Sequence, residues 1–207
     1  MNFEYKKIPS KKILIKEHKI TKVFEKHIGE FTGAPYVVCV DSCTSALFCC
    51  FNLRRPQKIV LPENTYIGVY TAAHFNNIKV IFKNIEWDDS YGVPPTNIID
   101  SARRFQKGMY VKNTLMCVSF GHKKILNIGK GGAILLDNYE DYKKLLRIRN
   151  CGKDVNLPLH KNIYDLIGLN MVLPPDLSRK GIGILRKIKN KNYKLKKEFY
   201  GNLREQT

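Results

Sequence analysis

Two adjacent lysines, Lys123 and Lys124, stand between two apolar runs at 115–118 and 133–136. Each run has the length and composition of a short buried strand. The chain leaves the first through Ser119-Phe120 and enters the second through Gly131-Gly132. A lysine held between buried strands is shielded from water, and burial disfavours its charged form. A neutral lysine can attack a carbonyl and form a Schiff base. On this stretch alone, an exposed hairpin loop with two solvated lysines is an equally good reading. Asp100 closes a very short strand, Ile98-Ile99-Asp100. Ligands of open α/β sheets sit at the carboxyl ends of strands. A third feature is an anion-binding turn. The run Tyr36-Val37-Val38-Cys39-Val40 passes at once into Asp41-Ser42-Cys43-Thr44-Ser45 and then into an apolar helix at 46–51. The free amides of a first helical turn point at an anion, and the helix dipole favours it. An ordinary Asp or Ser cap with no ligand is the plainer alternative.

These residues need elements to hold them. Strands are expected at 36–40, 58–62, 78–82, 98–100, 115–118 and 133–136, with helices at 46–51, 64–74 and 138–150 between them. Strand and helix in alternation predict an α/β domain with a mostly parallel sheet and flanking helices. Val23, Phe24, His27, Ile28 and Phe31 share one face of a helix over 22–31, with Thr21 as its N-cap. Residues 1–20 read as an extended basic arm and 175–207 as a long basic helix. The interval 83–97 is a polar loop.

The chain has 207 residues, 36 Lys or Arg against 18 Asp or Glu, and a formal charge of +18. Such a charge favours anionic partners without specifying a fold. From residue 143 onward sixteen basic residues face five acidic ones, which reads first as a solvated helix surface and less well as a nucleic-acid face. The six cysteines form no Cys-x-x-Cys pair and mostly lie in apolar runs. Core thiols in a reducing compartment are expected, with no disulfide framework and no metal site. No apolar run approaches the ~20 residues of a spanning helix, and no signal-peptide pattern is evident. A soluble cytoplasmic protein is expected.

Six segments, taken in order, resemble the DegT/DnrJ/EryC1/StrS family of pyridoxal-phosphate-dependent sugar aminotransferases. They are residues 33–47; Val60-Leu61-Pro62 with Thr65-Tyr66; Ile99-Asp100-Ser101-Ala102; Ser119-Phe120 through Lys124 to Gly131-Gly132; Arg149-Asn150-Cys151-Gly152; and Gly168-Leu169-Asn170. The resemblance covers about residues 20–200. It implies a reduced fold-type I large domain, pyridoxal 5'-phosphate as cofactor, amino-acid and nucleotide-sugar substrates, and a homodimer with shared active sites. It also implies roles. Lys124 stands where the cofactor-bound lysine stands, with Lys123 a bystander, and Asp100 matches the carboxylate that pairs with the pyridine nitrogen. Cys43 and Thr44, beside Ser42, match a pair whose amides hold the phosphate, and Ser119 matches a phosphate-binding serine. Tyr66 stands where an aromatic residue stacks on the ring. Arg103 stands where a glutamine contacts the phenolic oxygen. Asn170 matches an asparagine that reaches the phosphate of the partner subunit.

Four departures from the family pattern bear on activity. The interval between Phe82 and Ile98 is too short for the family's further strand and crossover helices, so the sheet should lack strands and leave neighbours exposed or covered by a partner. The chain stops at Thr207, near where the family's small C-terminal domain begins, which implies one shortened domain over 1–207. Arginine replaces glutamine at 103. Cys43 replaces glycine and Val172 replaces an arginine, and a Cβ at 43 would narrow the phosphate turn if φ there were positive. Amino transfer to a nucleotide-linked keto-sugar, with glutamate as donor, is the leading expectation. A relative that keeps the fold core without turnover is the second. A basic nucleic-acid-binding protein is a distant third. Lysine rather than histidine at 124 favours transamination over the related dehydrations.

Overall fold

The computed structural model describes residues 11–188, 195–196 and 198–207, and side chains from residue 19 onward. Strands β1 (Tyr36–Val40), β7 (Gly132–Leu136), β6 (Leu115–Ser119), β5 (Ile98–Asp100) and β4 (Tyr91–Gly92) form one sheet in that order. Strands β2 (Lys58–Pro62) and β3 (Lys79–Lys83) form a second, parallel sheet. The pleat sends alternate residues to opposite faces, and both faces are apolar here. Val38 and Val40 of β1, Cys117 of β6 and Ile134 and Leu136 of β7 join one core. Val37 and Cys39, Met116 and Val118, and Ala133 and Leu135 join the other. Helices α2 (Cys43–Arg54), α3 (Ile67–His74) and α4 (Tyr139–Ile148) serve the first core, and α1 (Lys11–Thr32) and α5 (Pro175–Leu185) serve the second. The result is a three-layer α/β arrangement, as expected.

The main sheet is mixed rather than mostly parallel. β7 runs antiparallel to both of its neighbours, β1 and β6, and β4 runs antiparallel to β5. A parallel neighbour needs a crossover, usually a helix. The link between β6 and β7 carries the two lysines and holds no helix, so it returns the chain antiparallel.

The short interval before Ile98 leaves no gap. Tyr91 and Gly92 pair with Asp100 and Ile99, which covers the outer edge of β5. The Val60 amide donates to the Pro94 carbonyl at 2.9 Å and ties the second sheet to this loop. The expected exposed neighbours are therefore covered from within the chain.

Two helix boundaries differ widely from expectation. α1 begins at Lys11, so 11–20 is helix rather than arm, while 1–10 lies outside the described residues. Thr21 is no cap: it is buried within α1, its hydroxyl 3.0 Å from that of Ser178 on α5. That second helix supplies the tertiary contact that propensity alone lacks. The expected helix over 175–207 ends at Leu185, with Arg186 as its C-cap, and residues 189–194 and 197 lie outside the described residues. A short α6 follows at Leu203–Gln206. α1 and α5 cross closely at Gly181, where an added Cβ would meet the ring of fully buried Phe24 at 2.3 Å. A buried phenylalanine is worth about 1.5–3 kcal/mol, so Gly181→Ala disrupts a costly contact. No helix among the described residues is long and apolar enough to cross a membrane.

Candidate active site

The turn between β6 and β7 is held from both ends. The Phe120 amide donates to Gly131 O at 2.9 Å, and the Ile128 amide donates to Phe120 O at 3.1 Å. Leu126 and Ile128 are fully buried and pin the turn to the second core. The Lys124 amide bonds Gly121 O at 3.0 Å. Within this frame the two lysines part company. The Lys123 side chain is 83% exposed and that of Lys124 only 17%.

Asp100 lies at the carboxyl end of β5, 6% exposed. Oδ1 accepts from the Ala102 amide at 2.9 Å and Oδ2 from the Tyr91 hydroxyl at 3.2 Å. The Tyr91 hydroxyl also contacts the Thr65 hydroxyl at 2.7 Å. Burial pushes the Asp100 carboxyl above its usual value, while Ala102, Tyr91 and the charge of Lys124 pull it back. A carboxylate has about four lone-pair sites, so accepting capacity remains on both oxygens.

The third component is the start of α2. Ser42 is its N-cap, accepting from the Ser45 amide at 3.0 Å. Cys43 is the first residue of the helix. It is not among the positive-φ positions, so its Cβ imposes no backbone strain on the turn. β7 passes directly beneath: a Cβ at Gly132 would lie 2.7 Å from the Cys43 amide nitrogen. Burial pushes the Cys43 thiol up, the Asp100 charge adds to this, and Lys124 offsets part of it.

Eight of the nine residues singled out from the sequence line one cavity of about 420 Å³: Ser42, Cys43, Thr44, Tyr66, Asp100, Arg103, Ser119 and Lys124. The ninth, Asn170, does not line it; it forms an isolated antiparallel bridge with Asn150. Arg103 is 4% exposed and its donors are already engaged by Asp88, Leu195, Lys196 and Glu198. Trp87, Tyr91 and Thr65 at this site, with Glu198 and Tyr200, escaped the sequence reading. A Tyr91-Gly92 pair in a short loop carried a weak signal. Glu198 and Tyr200, about 75 positions beyond Lys124, carried none. Among the described residues no cluster of His, Cys, Asp or Glu could hold a metal ion.

The fold and cavity define an α/β domain with a lysine-bearing turn, a buried carboxylate and a helix start in one pocket. Residues 4–104 match the DegT/DnrJ/EryC1/StrS aminotransferase family, which shows the family resemblance over that stretch. Asp100 and the α2 turn fall inside it, while Lys124 falls beyond it. No curated protein matches the chain. Among solved structures, a protein of Bacillus cereus described as a PLP-dependent aminotransferase matches 89% of this chain and 66% of its own, with 19% identity and a TM-score of 0.67. PseC of Helicobacter pylori, an aminotransferase of pseudoaminic acid biosynthesis, matches 87% of this chain and 64% of its own, at 15% identity and TM-score 0.64. A GDP-4-keto-6-deoxymannose-3-dehydratase matches 85% and 64%, at 16% and 0.66. The chain spans just under two thirds of these proteins. At such identities the likeness shows the fold, that of PLP-dependent enzymes of fold type I.

Proposed function

We propose that the chain binds pyridoxal 5'-phosphate and transfers an amino group from an amino acid, with glutamate the expected donor, to a nucleotide-linked keto-sugar. One observation carries this reading: Lys124, Asp100 and the first turn of α2 line the same cavity. They fit the cofactor's chemistry. A partly buried amine suits its carbonyl carbon, a buried carboxylate with spare lone pairs suits a protonated ring nitrogen, and free amides at a helix start suit its phosphate. When bound, the group supplies an electron sink for charge developing at the substrate carbon.

The chain's own residues do the rest. Lys124 Nζ would hold the cofactor and would move the proton at the substrate carbon. Asp100, fixed by Ala102 and Tyr91, keeps the ring-nitrogen proton in place. The amides of Cys43 and Thr44 and the Ser119 hydroxyl hold the phosphate, since the Ser42 hydroxyl is committed to capping α2. Tyr66, at the cavity wall, offers an aromatic face to the ring. Arg103 would reach the phenolic oxygen only by releasing its present partners. The net charge of +18 suits a nucleotide-bearing substrate.

A homodimer belongs to the same reading. Ile163, Tyr164, Ile167 and Leu169 are all exposed on the segment that carries Asn170. A run of exposed apolar residues marks an interaction surface, and a second copy of the chain would cover it and bring Asn170 to a neighbouring phosphate site. All six cysteines are free thiols, which suits the cytoplasm.

Purified protein mixed with pyridoxal phosphate should develop the visible absorbance of lysine-bound cofactor, and Lys124→Ala should abolish it. No band at any cofactor concentration would refute the reading. A second reading, cofactor binding without turnover, is favoured by the Glu198 carboxylate standing 3.9 Å from Lys124 Nζ. Glutamate-dependent amination of a keto-sugar nucleotide separates the two.

A further inference from the structure

Glu198 and Tyr200 line the cavity, and the proposed reaction makes no use of the residues that carry them, 195–196 and 198–207. Arg103 Nη2 donates to the carbonyls of Leu195 at 3.3 Å and Lys196 at 2.6 Å, and Nη1 to Glu198 Oε2 at 3.2 Å. The Glu198 carboxylate also stands 3.9 Å from the amines of both Lys123 and Lys124. The Tyr200 hydroxyl donates to it at 2.5 Å. The Tyr200 ring stacks on Trp87, centroids 5.9 Å apart at 18°, and meets Tyr66 edge-on at 6.5 Å. Further along, buried Leu203 donates its amide to Glu63 O at 2.8 Å, and Arg204 pairs with Glu63 at 3.2 Å.

A buried guanidinium flanked by two amines is an arrangement for recognising a carboxylate. The Tyr200 hydroxyl most of all, against the cost of burial, holds Glu198 below the usual carboxylate value, helped by Lys124, Arg103 and Lys123. Glu198 is therefore ionised at neutral pH and fills the site as an anion.

We propose that Arg103, with Lys123 and Lys124, forms a carboxylate-binding subsite that Glu198 of the same chain occupies, so that residues 195–196 and 198–207 act as a strap competing with carboxylate-bearing ligands. The proposal adds regulation to the site proposed above and rests on that reading only in taking Lys124 as the reacting amine. Apart from Glu198, the strap is held by two aromatic contacts, one buried leucine, one half-exposed ion pair and a few hydrogen bonds. A tethered group competes at an effective concentration on the order of millimolar. A free dicarboxylate of similar intrinsic affinity should displace it in that range. Displacement also frees Arg103 and uncovers Lys124, so a carboxylate ligand would open the site that it enters.

Trp87 is the sole tryptophan, so its fluorescence reports whether Tyr200 is stacked on it. Succinate is titrated into the cofactor-free full chain, with sodium chloride at matched ionic strength as control. The wild-type emission should change saturably at millimolar succinate. Glu198→Gln should lower the midpoint by up to about fivefold, and Arg103→Gln should remove the saturable response. If Arg103→Gln fails to fold by circular dichroism, Tyr200→Phe, which removes only the hydroxyl that donates to Glu198, should lower the midpoint instead. A Glu198→Gln midpoint equal to that of wild type, or a response that sodium chloride reproduces, overturns the proposal. Cofactor absorbance is recorded on the same preparations. A band without a succinate response refutes the subsite alone. A succinate response without a band supports the subsite and refutes the proposed function.

Discussion

Tyr91→Phe removes one oxygen from the buried support of Asp100. In the wild type that hydroxyl donates to Asp100 Oδ2 at 3.2 Å and contacts the Thr65 hydroxyl at 2.7 Å. The ring is 8% exposed and packs edge-on against Trp87, and phenylalanine keeps that packing. The cost should depend on the charge of Asp100. A hydrogen bond to an ionised acceptor is worth about 1.5–3 kcal/mol, and one between neutral groups about 0.5–1.5 kcal/mol. Burial raises the folded-state pKa of Asp100 above its ordinary value. Its contribution to stability is therefore full below the ordinary carboxylate range and is lost as pH rises through the raised value. The Tyr91 hydroxyl favours the ionised form and limits that loss. The destabilisation by Tyr91→Phe should grow as pH rises, to about 1.5–3 kcal/mol once Asp100 is ionised. For a chain of this size that is a melting-temperature drop of about 3–12 °C. Urea unfolding of both cofactor-free proteins, at acid and at mildly alkaline pH, measures it. An equal loss at both pH values would show that Tyr91 is not supporting a charged Asp100, and the argument about the buried carboxylate would fail.

Arg149 donates to Glu25 and to Cys39 O, all buried, tying α4 and β1 to α1. Arg149→Met leaves the Glu25 charge unpaired and should cost about 3–5 kcal/mol in urea unfolding; a loss under 1 kcal/mol would contradict the burial. Gly132→Ala forces a Cβ to 2.7 Å from the Cys43 amide and should cost about 1–3 kcal/mol while weakening cofactor affinity; wild-type affinity in a stable variant would show that the turn is not the phosphate cradle. The Tyr200 hydroxyl above all holds the pKa of Glu198 below its ordinary value, so its contribution to strap closure is present above that ordinary value and is lost as pH falls through the lowered one. Trp87 emission should change on acidification below the ordinary glutamate range, and the change should be absent in Glu198→Gln.

What could be read from the sequence followed local physics. The strands 36–40, 115–119 and 132–136 are unbroken apolar runs because both sheet faces are covered, and such runs announce themselves. The family resemblance, through the spacing from Ser-Phe and to Gly-Gly, selected Lys124 over Lys123, and of the two side chains that of Lys124 is the less exposed, 17% against 83%. Strand direction was not legible, because pairing is set by the path of the connections rather than by composition. The start of α1 was missed because residues 11–20 are basic, and what covers the helix, Ser178 and its neighbours on α5, lies more than 150 positions away. For Arg103 the family pattern gave a cofactor role, whereas the structure commits its donors to residues 88 and 195–198. A contact of that sequence separation leaves no local trace. Asn170 lies off the cavity in one chain, and its proposed role depends on a second copy.

The central claim is that Lys124, not its neighbour, is the amine that holds the cofactor. Borohydride reduction of the protein with bound pyridoxal phosphate fixes the group on whichever lysine holds it, and peptide mass spectrometry then finds that lysine. The account predicts one stoichiometric modification, on Lys124. A label on Lys123, a label spread over surface lysines, or no label under saturating cofactor would contradict it.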